Sequence, residues 1–248
     1  MSSRFRPELF VPLVAGRAKI GWLRPELAAR LAAWPGVFRT SADEVRLLDK
    51  DALSPVIETL AQEGFIPGWR NERYAVDGGF EIERAAARPF GLTTHAVHVN
   101  GIAPGGRMWL ARRSSTKPID PGMLDNLVGG GISAGFSLEE TLIKEAWEEA
   151  GIPAELARRA TRGGSVRVLR EVPEGVQSEV IHVYDLDLPA DFEPKNQDGE
   201  VSEFALLPFE KVLHEKTLTH EAALAAEDYF SRRSGLRGSA PAGAGRAT

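Results

Sequence analysis

The chain has 248 residues, 43% of them hydrophobic and 26% charged, with a net charge of −5 and no cysteine. That length and balance suit one large or two modest domains that bury a core without covalent staples. Disulfides, thiolate metal sites and a cysteine nucleophile are excluded, and the acidic balance gives no reason to expect a nucleic-acid partner. An acidic protein that acts on anionic phosphates needs local cations, and bound metal ions are the obvious supply. The first 22 residues lack the apolar core of a signal peptide, because Arg4, Arg6, Glu8, Arg17 and Lys19 interrupt them. No run of about 18 apolar residues suggests a membrane span, so a cytoplasmic protein without a membrane partner is expected.

Taken in chain order, the first segment covers residues 1–85 and reads as a small accessory domain. Leu13-Val14 and Ile20-Gly21-Trp22-Leu23 are short apolar patterns. Pro25 suits the first turn of a helix over 25–34, with Leu27, Leu31 and Trp34 on one face. Val37-Phe38 fits a strand. Residues 49–63 read as an amphipathic helix, with Leu53, Val56, Ile57, Leu60 and Ala61 on one side and Gly64 placed to end it. Residues 69–76 read as a further strand.

The second segment, 86–233, carries alternating β-branched residues over 93–102, a strand over 108–111 after the turn Pro104-Gly105-Gly106, and a polar loop over 112–122. A short strand over 124–128 leads into Gly129-Gly130-Gly131, read as a glycine-rich loop. A helix over 137–150, strands over 165–170, 180–186 and 203–208, and a helix over 222–232 follow. The order implies a mixed α/β (α+β) layered domain. Residues 234–248 are rich in Gly, Ala, Ser and Arg and read as a disordered tail.

The helix over 137–150 has the clearest boundaries. Ser137 with Glu140 three residues on fits a capping box, Gly151 suits a left-handed C-terminal position, and Pro153 blocks continuation. Within it, Glu145, Glu148 and Glu149 stand three and four apart and share a helical side. Leu138, Leu142, Ala146 and Ile143 supply the core-facing stripe. Three such carboxylates repel one another unless cations sit among them, and hard oxygen donors suit Mg²⁺ or Mn²⁺. A Glu-Glu pair on an arbitrary helix reads as a solvated acidic face; what flanks this pair points elsewhere.

The stretch from Gly129 to Ile152 resembles the Nudix box, G-x5-E-x7-R-E-U-x-E-E-x-G-U, with U a bulky aliphatic residue. Gly130 falls on the first glycine, Glu145 on the glutamate after the basic residue, Glu148 and Glu149 on the glutamate pair, and Gly151-Ile152 on the end. Three positions depart: Phe136 replaces the early glutamate, Lys144 the arginine, and Ala146 the aliphatic residue. The resemblance implies a Nudix α/β/α sandwich and a hydrolase for a small-molecule diphosphate, using Mg²⁺ or Mn²⁺. It also implies Glu148 and Glu149 as metal ligands, Glu145 as a further ligand or water-orienting group, and Gly130 and Lys144 within the site. An additional acid often comes from a distant loop; Glu200 is the candidate, Glu203 the next, and a solvated loop acid the alternative for each.

Further segments extend the resemblance. They are Glu83-Arg84-Ala85-Ala86-Ala87-Arg88-Pro89-Phe90-Gly91, His98-Val99-Asn100-Gly101, Trp109 through Ser114, Lys117-Pro118, Pro121 through Val128, Tyr184 through Pro189, and Asn196 through Val201. Together they resemble the Nudix subfamily labelled thiamine pyrophosphokinase-related, which shares the apolar residue at Phe136 and the lysine at Lys144. That likeness implies hydrolysis of thiamine diphosphate or its oxidised analogues to the monophosphate. No kinase P-loop pattern is present. A nucleoside diphosphate derivative as substrate, or a ligand-binding module of the same fold with little catalysis, stays open. Arg112, Arg113 and Lys117 are candidate grips for the diphosphate, with surface solubility the alternative. His98 and Asn100 end a predicted strand; the histidine reads as structural, with a pocket-facing position the alternative. Trp69, Trp109 and Trp147 are expected in the core, with stacking on a heteroaromatic ring the alternative. Gln177 and Glu179 precede a strand that would line the cleft, and no role is assigned to them. The accessory segment caps the cleft or forms a dimer contact in alternative readings.

Overall fold

The computed structural model describes residues 5–234. The expected disordered tail therefore lies, except for Ser234, outside the described residues. Strands β1 (Val11–Ala15) and β2 (Ala18–Leu23) form a hairpin turned at Gly16, whose φ of 57° glycine adopts without a Cβ penalty. Helix α1 (Pro25–Arg30) begins on a proline, as expected, but ends early. Residues 31–33 tighten into a 3₁₀ turn, so the helix expected over 25–34 is shorter. Strands β3 (Phe38–Thr40) and β4 (Val45–Leu47) complete a four-stranded sheet in the order β2-β1-β4-β3. Helix α2 (Leu53–Gln62) starts later than expected: the Asp49 carboxylate accepts from the amides of Asp51 at 2.9 Å and Ala52 at 3.3 Å, forming a turn ahead of the helix. Its apolar face, Leu53, Val56, Ile57 and Leu60, packs on Leu13, Leu23 and Phe38. Strands β5 (Arg73–Val76) and β6 (Phe80–Glu83) pair as a small ribbon. The strand expected from residue 69 starts at Arg73, because Asn71 sits at a φ of 56° and its side chain accepts from the Trp69 indole at 2.8 Å.

The second sheet has seven strands. Strand β7 (Thr93–Ala103) lies at its centre, with β12 (Gly175–Asp187) parallel on one side. On its other side it pairs with β10 (Val128–Gly131) and, further along, with β8 (Arg107–Arg113). Strand β9 (Leu124–Asn126) and strand β13 (Val201–Pro208) pair with β8, and β11 (Thr161–Val172) closes the far edge beside β12. Helix α3 (Leu138–Ala150) covers one face, with Leu142, Ala146 and Ala150 against Val97, Val99 and Leu127. Helix α6 (His220–Arg233) covers the other, with Ala225 against Ile181 and Val183, and Ala226 and Tyr229 against Ile102 and Leu110. The single-turn helices α4 (Ala154–Ala157) and α5 (Phe209–Val212) close the connections after α3 and β13. Helices on both faces of one mixed sheet make the α/β/α sandwich of the α+β class that the sequence implied. No helix among the described residues is long and apolar enough to cross a membrane.

The first sheet and the β5–β6 ribbon are each tied to segments flanking the second sheet. The Trp22 amide donates to the Phe90 carbonyl at 3.0 Å, and the Ala134 amide donates to the Arg73 carbonyl at 2.7 Å. Tyr74 bridges to Ser133 along the backbone, and the Ser133 hydroxyl donates to Glu72 at 2.6 Å. Gly91 sits at a φ of 57°, and a Cβ there would lie 2.6 Å from the Trp22 carbonyl oxygen. Both terms oppose a side chain, since the conformation is strained and the neighbour is backbone that cannot swing away. Gly91→Ala is expected to destabilise the protein by on the order of 3 kcal/mol, measured as a shift in the urea midpoint at unchanged m-value. A shift under about 0.5 kcal/mol would show that this junction yields easily.

Candidate functional site

The site is built on a close approach between α3 and β10. The helix is capped as its sequence requires: the Ser137 hydroxyl accepts from the Glu140 amide at 3.2 Å, and Glu140 accepts from the Ser137 amide at 2.9 Å. Gly151 ends it in the left-handed region at a φ of 65°. Gly129-Gly130-Gly131, expected as a loop, instead continues strand β10 against β7, opposite His98, Val97 and Ala96. Ladder pairing with β7 holds it extended. A Cβ on Gly130 would lie 2.4 Å from the Glu145 side chain, and one on Gly131 would lie 2.1 Å from the Tyr74 hydroxyl. Glycines are needed here because carboxylate and phenol press directly onto the strand.

Glu149 is 6% exposed and accepts from the Gly129 amide at 2.7 Å. Burial, then the Glu145 and Asp125 carboxylates, push its acid up to about 8, against the pull of the Gly129 amide and Lys117. Burial raises Glu145 too, and Glu148 adds to the effect, while Lys144 opposes it. Lys144 bridges Glu145 at 3.0 Å and Glu148 at 2.7 Å. Burial works against the Lys144 ammonium, but these two hydrogen bonds prevail and push it up to about 12. Glu148 lies on the more exposed side with this lysine. The three helix carboxylates therefore divide, with Glu145 and Glu149 against the strand and Glu148 turned outward. Among the described residues, no three His, Asp or Glu side chains are arranged to hold a metal.

The donor set nevertheless fits a hard divalent cation. Glu145 and Glu149 are oxygen ligands that burial and mutual repulsion hold above the ordinary carboxylate range, and a dication beside them would relieve both effects.

A cleft of about 330 Å³ opens beside the glycine strand. Gly129, Gly130 and Gly131 line it together with Lys117, Arg113 and Glu200. Lys117 pairs with Glu200; burial lowers the lysine's pKa while Glu149 raises it, so it sits near that carboxylate. Glu200 reaches the site because its loop docks on the open carbonyls at the end of α3: the Gln197 amide donates to Glu148 O at 2.8 Å and the Lys195 amide to Ala150 O at 2.9 Å. Arg113 donates to Asp125 at 2.9 Å and faces the cleft. Arg112, its neighbour on β8, does not line the cleft; it bonds Glu203 and donates to the Gly122 carbonyl at 2.8 Å. Alternation along a strand turns adjacent side chains to opposite faces. Of the candidates, Gly130, Lys117, Arg113 and Glu200 thus line one cleft. Glu145 and Glu149 back its glycine wall, Lys144 and Glu148 stand outside it, and Arg112 and Glu203 pair with each other elsewhere.

The pattern of the NUDIX domain family matches residues 93–228, more than half of the chain. The chain belongs to the NUDIX domain family. Residues 2–94, ahead of the NUDIX domain, match a domain of unknown function, DUF4743. The chain is 40% identical over 222 residues to Nudix hydrolase 24, chloroplastic, of Arabidopsis thaliana, across 82% of this chain and 61% of that protein. It is 44% identical over 170 residues to Nudix hydrolase 20, chloroplastic, of the same plant, across 65% of this chain and 46% of that protein. The chain thus spans less than two thirds of the length of these relatives. A solved structure from Deinococcus radiodurans superposes with a TM-score of 0.51 at 23% identity, covering 64% of this chain and 99% of that one, and shows the fold alone.

Several cleft residues escaped the box. Tyr74, Arg84 and Arg88 come from the segment ahead of the NUDIX domain. Arg84 pairs with Glu72 at 2.8 Å, and its pKa is raised by Tyr74, Glu72 and Glu145 together, against burial. Gln177, Glu179 and Glu221 form another wall; the place of the first two just ahead of a strand expected to line the cleft was their only signal. His98 is held in the buried network expected of it, bonding Asn126 at 2.7 Å, yet it also lines the cleft. Of the tryptophans, Trp109 packs on the α3 core, but Trp69 and Trp147 are 39% and 52% exposed. Trp69 sits in the turn before β5, and Trp147 on the outer side of α3.

Glu149 gives a pH signature. Its folded-state acid is raised from 4.5 to about 8, so the folded form holds a proton that the unfolded chain has lost. The stability this proton supports is complete below about pH 4.5, declines above it, and is gone above about pH 8. Without divalent metal, Glu149→Gln should therefore gain in unfolding temperature relative to the parent as pH rises from about 5 to about 9. A constant difference across that range would mean that Glu149 is not held protonated.

Proposed function

We propose that this chain hydrolyses a diphosphate linkage with the help of Mg²⁺ or Mn²⁺. The observation that carries this reading is the pair Glu145 and Glu149, two carboxylates with raised pKa values pressed against a side-chain-free strand at a cleft that also presents Lys117 and Arg113. A divalent metal held here would supply charge neutralisation for the diphosphate and a water that is nucleophilic near neutral pH. Glu145 and Glu149 would hold it, with Glu200 supplying a further oxygen once Lys117 turns from it toward phosphate. Lys117 and Arg113 would bind the non-bridging oxygens as charge-assisted donors. Glu149, fixed by the Gly129 amide at 2.7 Å, would also help orient the attacking water. Lys144 would keep Glu145 and Glu148 in place. Phe136, exposed just ahead of α3, does not line the cleft.

The finer reading is thiamine diphosphate or its oxidised analogues as substrate, released as the monophosphate. It rests on the resemblance carried by the segments around Glu83–Gly91, Lys117-Pro118 and Asn196–Val201, which here supply cleft residues Arg84, Arg88, Lys117 and Glu200.

The test follows inorganic phosphate from thiamine diphosphate, its oxidised analogues and nucleoside diphosphates, and the two phosphate monoesters from ADP-ribose and NADH, with Mg²⁺ or Mn²⁺. Turnover of the thiamine compounds is expected, with kcat reduced about a hundredfold or more in Glu149→Gln, the scale at which one preorganised charged group acts. Turnover of none would sink the hydrolase reading. Turnover of nucleotides alone would leave the chemistry and replace the substrate.

A further inference from the structure

The NUDIX domain does not build the cleft alone. Strand β5 of the preceding segment runs beside the glycine strand: Tyr74 bridges to Ser133, and the Ala134 amide donates to the Arg73 carbonyl. Tyr74 therefore lies over Gly131, where its hydroxyl occupies the place that a Cβ would take. Arg84 follows β6, the partner strand of β5, and its guanidinium carbon stands 5.2 Å from the centre of the Tyr74 ring. Both side chains line the cleft with Gly131.

Both also keep donors free. Tyr74 is 5% exposed, yet among the described residues its hydroxyl makes no hydrogen bond. A phenol enclosed to this extent usually has a partner. Arg84 donates through Nη1 to Glu72 at 2.8 Å and makes no other side-chain hydrogen bond among the described residues. A guanidinium carries five N–H donors and no acceptor. Glu72 accepts in turn from the Ser133 hydroxyl at 2.6 Å, so a residue just after the glycine strand fixes the carboxylate that aims Arg84. The Arg84 side chain remains half-exposed where it borders the cleft.

Arg84 thereby joins the cations already placed there. Burial destabilises the Lys117 ammonium, and Arg113 and Arg84 add to that, against the pull of Glu149. The three cations come from β8, from the loop after it and from the preceding segment. Each has one carboxylate partner: Asp125 for Arg113, Glu200 for Lys117 and Glu72 for Arg84. Those pairs steady the cations against their mutual repulsion, and the two arginines retain N–H groups for an anion.

We infer that Arg84 and Tyr74 bind non-bridging oxygens of the substrate's diphosphate, so that the segment ahead of the NUDIX domain supplies part of the phosphate site. The Arg84 fork can meet two phosphate oxygens at once, and the Tyr74 hydroxyl can donate to one. The inference rests on the diphosphate reading, but it requires no bond to be cleaved.

Methylenediphosphonate, whose P–C–P link resists hydrolysis, probes the site without turnover. Its dissociation constant is measured by titration calorimetry with Mg²⁺ for the parent, Arg84→Gln, Arg84→Lys and Tyr74→Phe, together with the unfolding temperature of each. Arg84→Gln should weaken binding about tenfold or more, and Arg84→Lys should restore part of the loss, because it keeps the charge without the fork. Tyr74→Phe removes a single hydroxyl and should weaken binding about fivefold with the unfolding temperature unchanged, so it carries the test even if Arg84→Gln does not fold. The Mn²⁺ affinity of Tyr74→Phe, measured without the diphosphonate, should stay within about twofold of the parent. A parent that does not bind the diphosphonate, or variants that bind it as the parent does, would overturn the inference. A parallel loss of Mn²⁺ affinity in Tyr74→Phe would also overturn it, because the phenol would then only support the glycine strand. Diphosphonate binding that responds to these substitutions, without hydrolysis of any substrate, would sink the hydrolase reading and leave this inference standing.

Discussion

Everything at this site depends on how closely α3 approaches β10. Glu149 reaches the Gly129 amide at 2.7 Å, and Glu145 fills the space where a Gly130 Cβ would stand. That contact removes water from two carboxylates and places them side by side, which is unfavourable in the absence of a cation. Natural folds keep such a defect where function uses it. The capping box, the left-handed Gly151 and the packing of Leu142 and Ala146 on Val97 and Val99 serve to hold the helix at that distance.

The remaining parts of the site are arranged around this contact by tertiary connections. The loop that brings Glu200 in is anchored on the carbonyls at the end of α3, so one helix positions carboxylates from two distant parts of the chain. The segment before the NUDIX domain contributes Tyr74, Arg84 and Arg88 to the cleft and is tied to the strand after Gly131 through Ser133, Ala134 and Tyr74. This segment therefore supplies part of the cleft wall.

Local signals made the helix legible. Ser137, Glu140, Gly151 and Pro153 marked its ends, and the three-and-four spacing of Glu145, Glu148 and Glu149 marked its chemistry. Spacing alone did not separate Glu148 from the other two, because that depends on which side meets the strand. The glycine run read as a loop for a related reason: glycine lowers strand propensity, and only pairing with β7 overrides it. Arg112 and Arg113 were equivalent as sequence, and β8 turns one into the cleft and the other to Glu203. Glu179 and Glu221 are separated by more than forty residues and meet through Gln177, a contact that no local pattern encodes. Trp69 and Trp147 were expected in the core by residue type, yet one lies in an exposed turn and the other on the outer side of α3.

The central claim is that Glu145 and Glu149 form a carboxylate pair that requires a cation. Titration of Mn²⁺ into the purified chain, followed by the loss of the free-ion electron paramagnetic resonance signal, tests it without reference to any substrate. The account predicts saturable Mn²⁺ binding that is lost in Glu149→Gln and Glu145→Gln while both variants stay folded. Binding unchanged in those variants, or no binding by the parent, would contradict it.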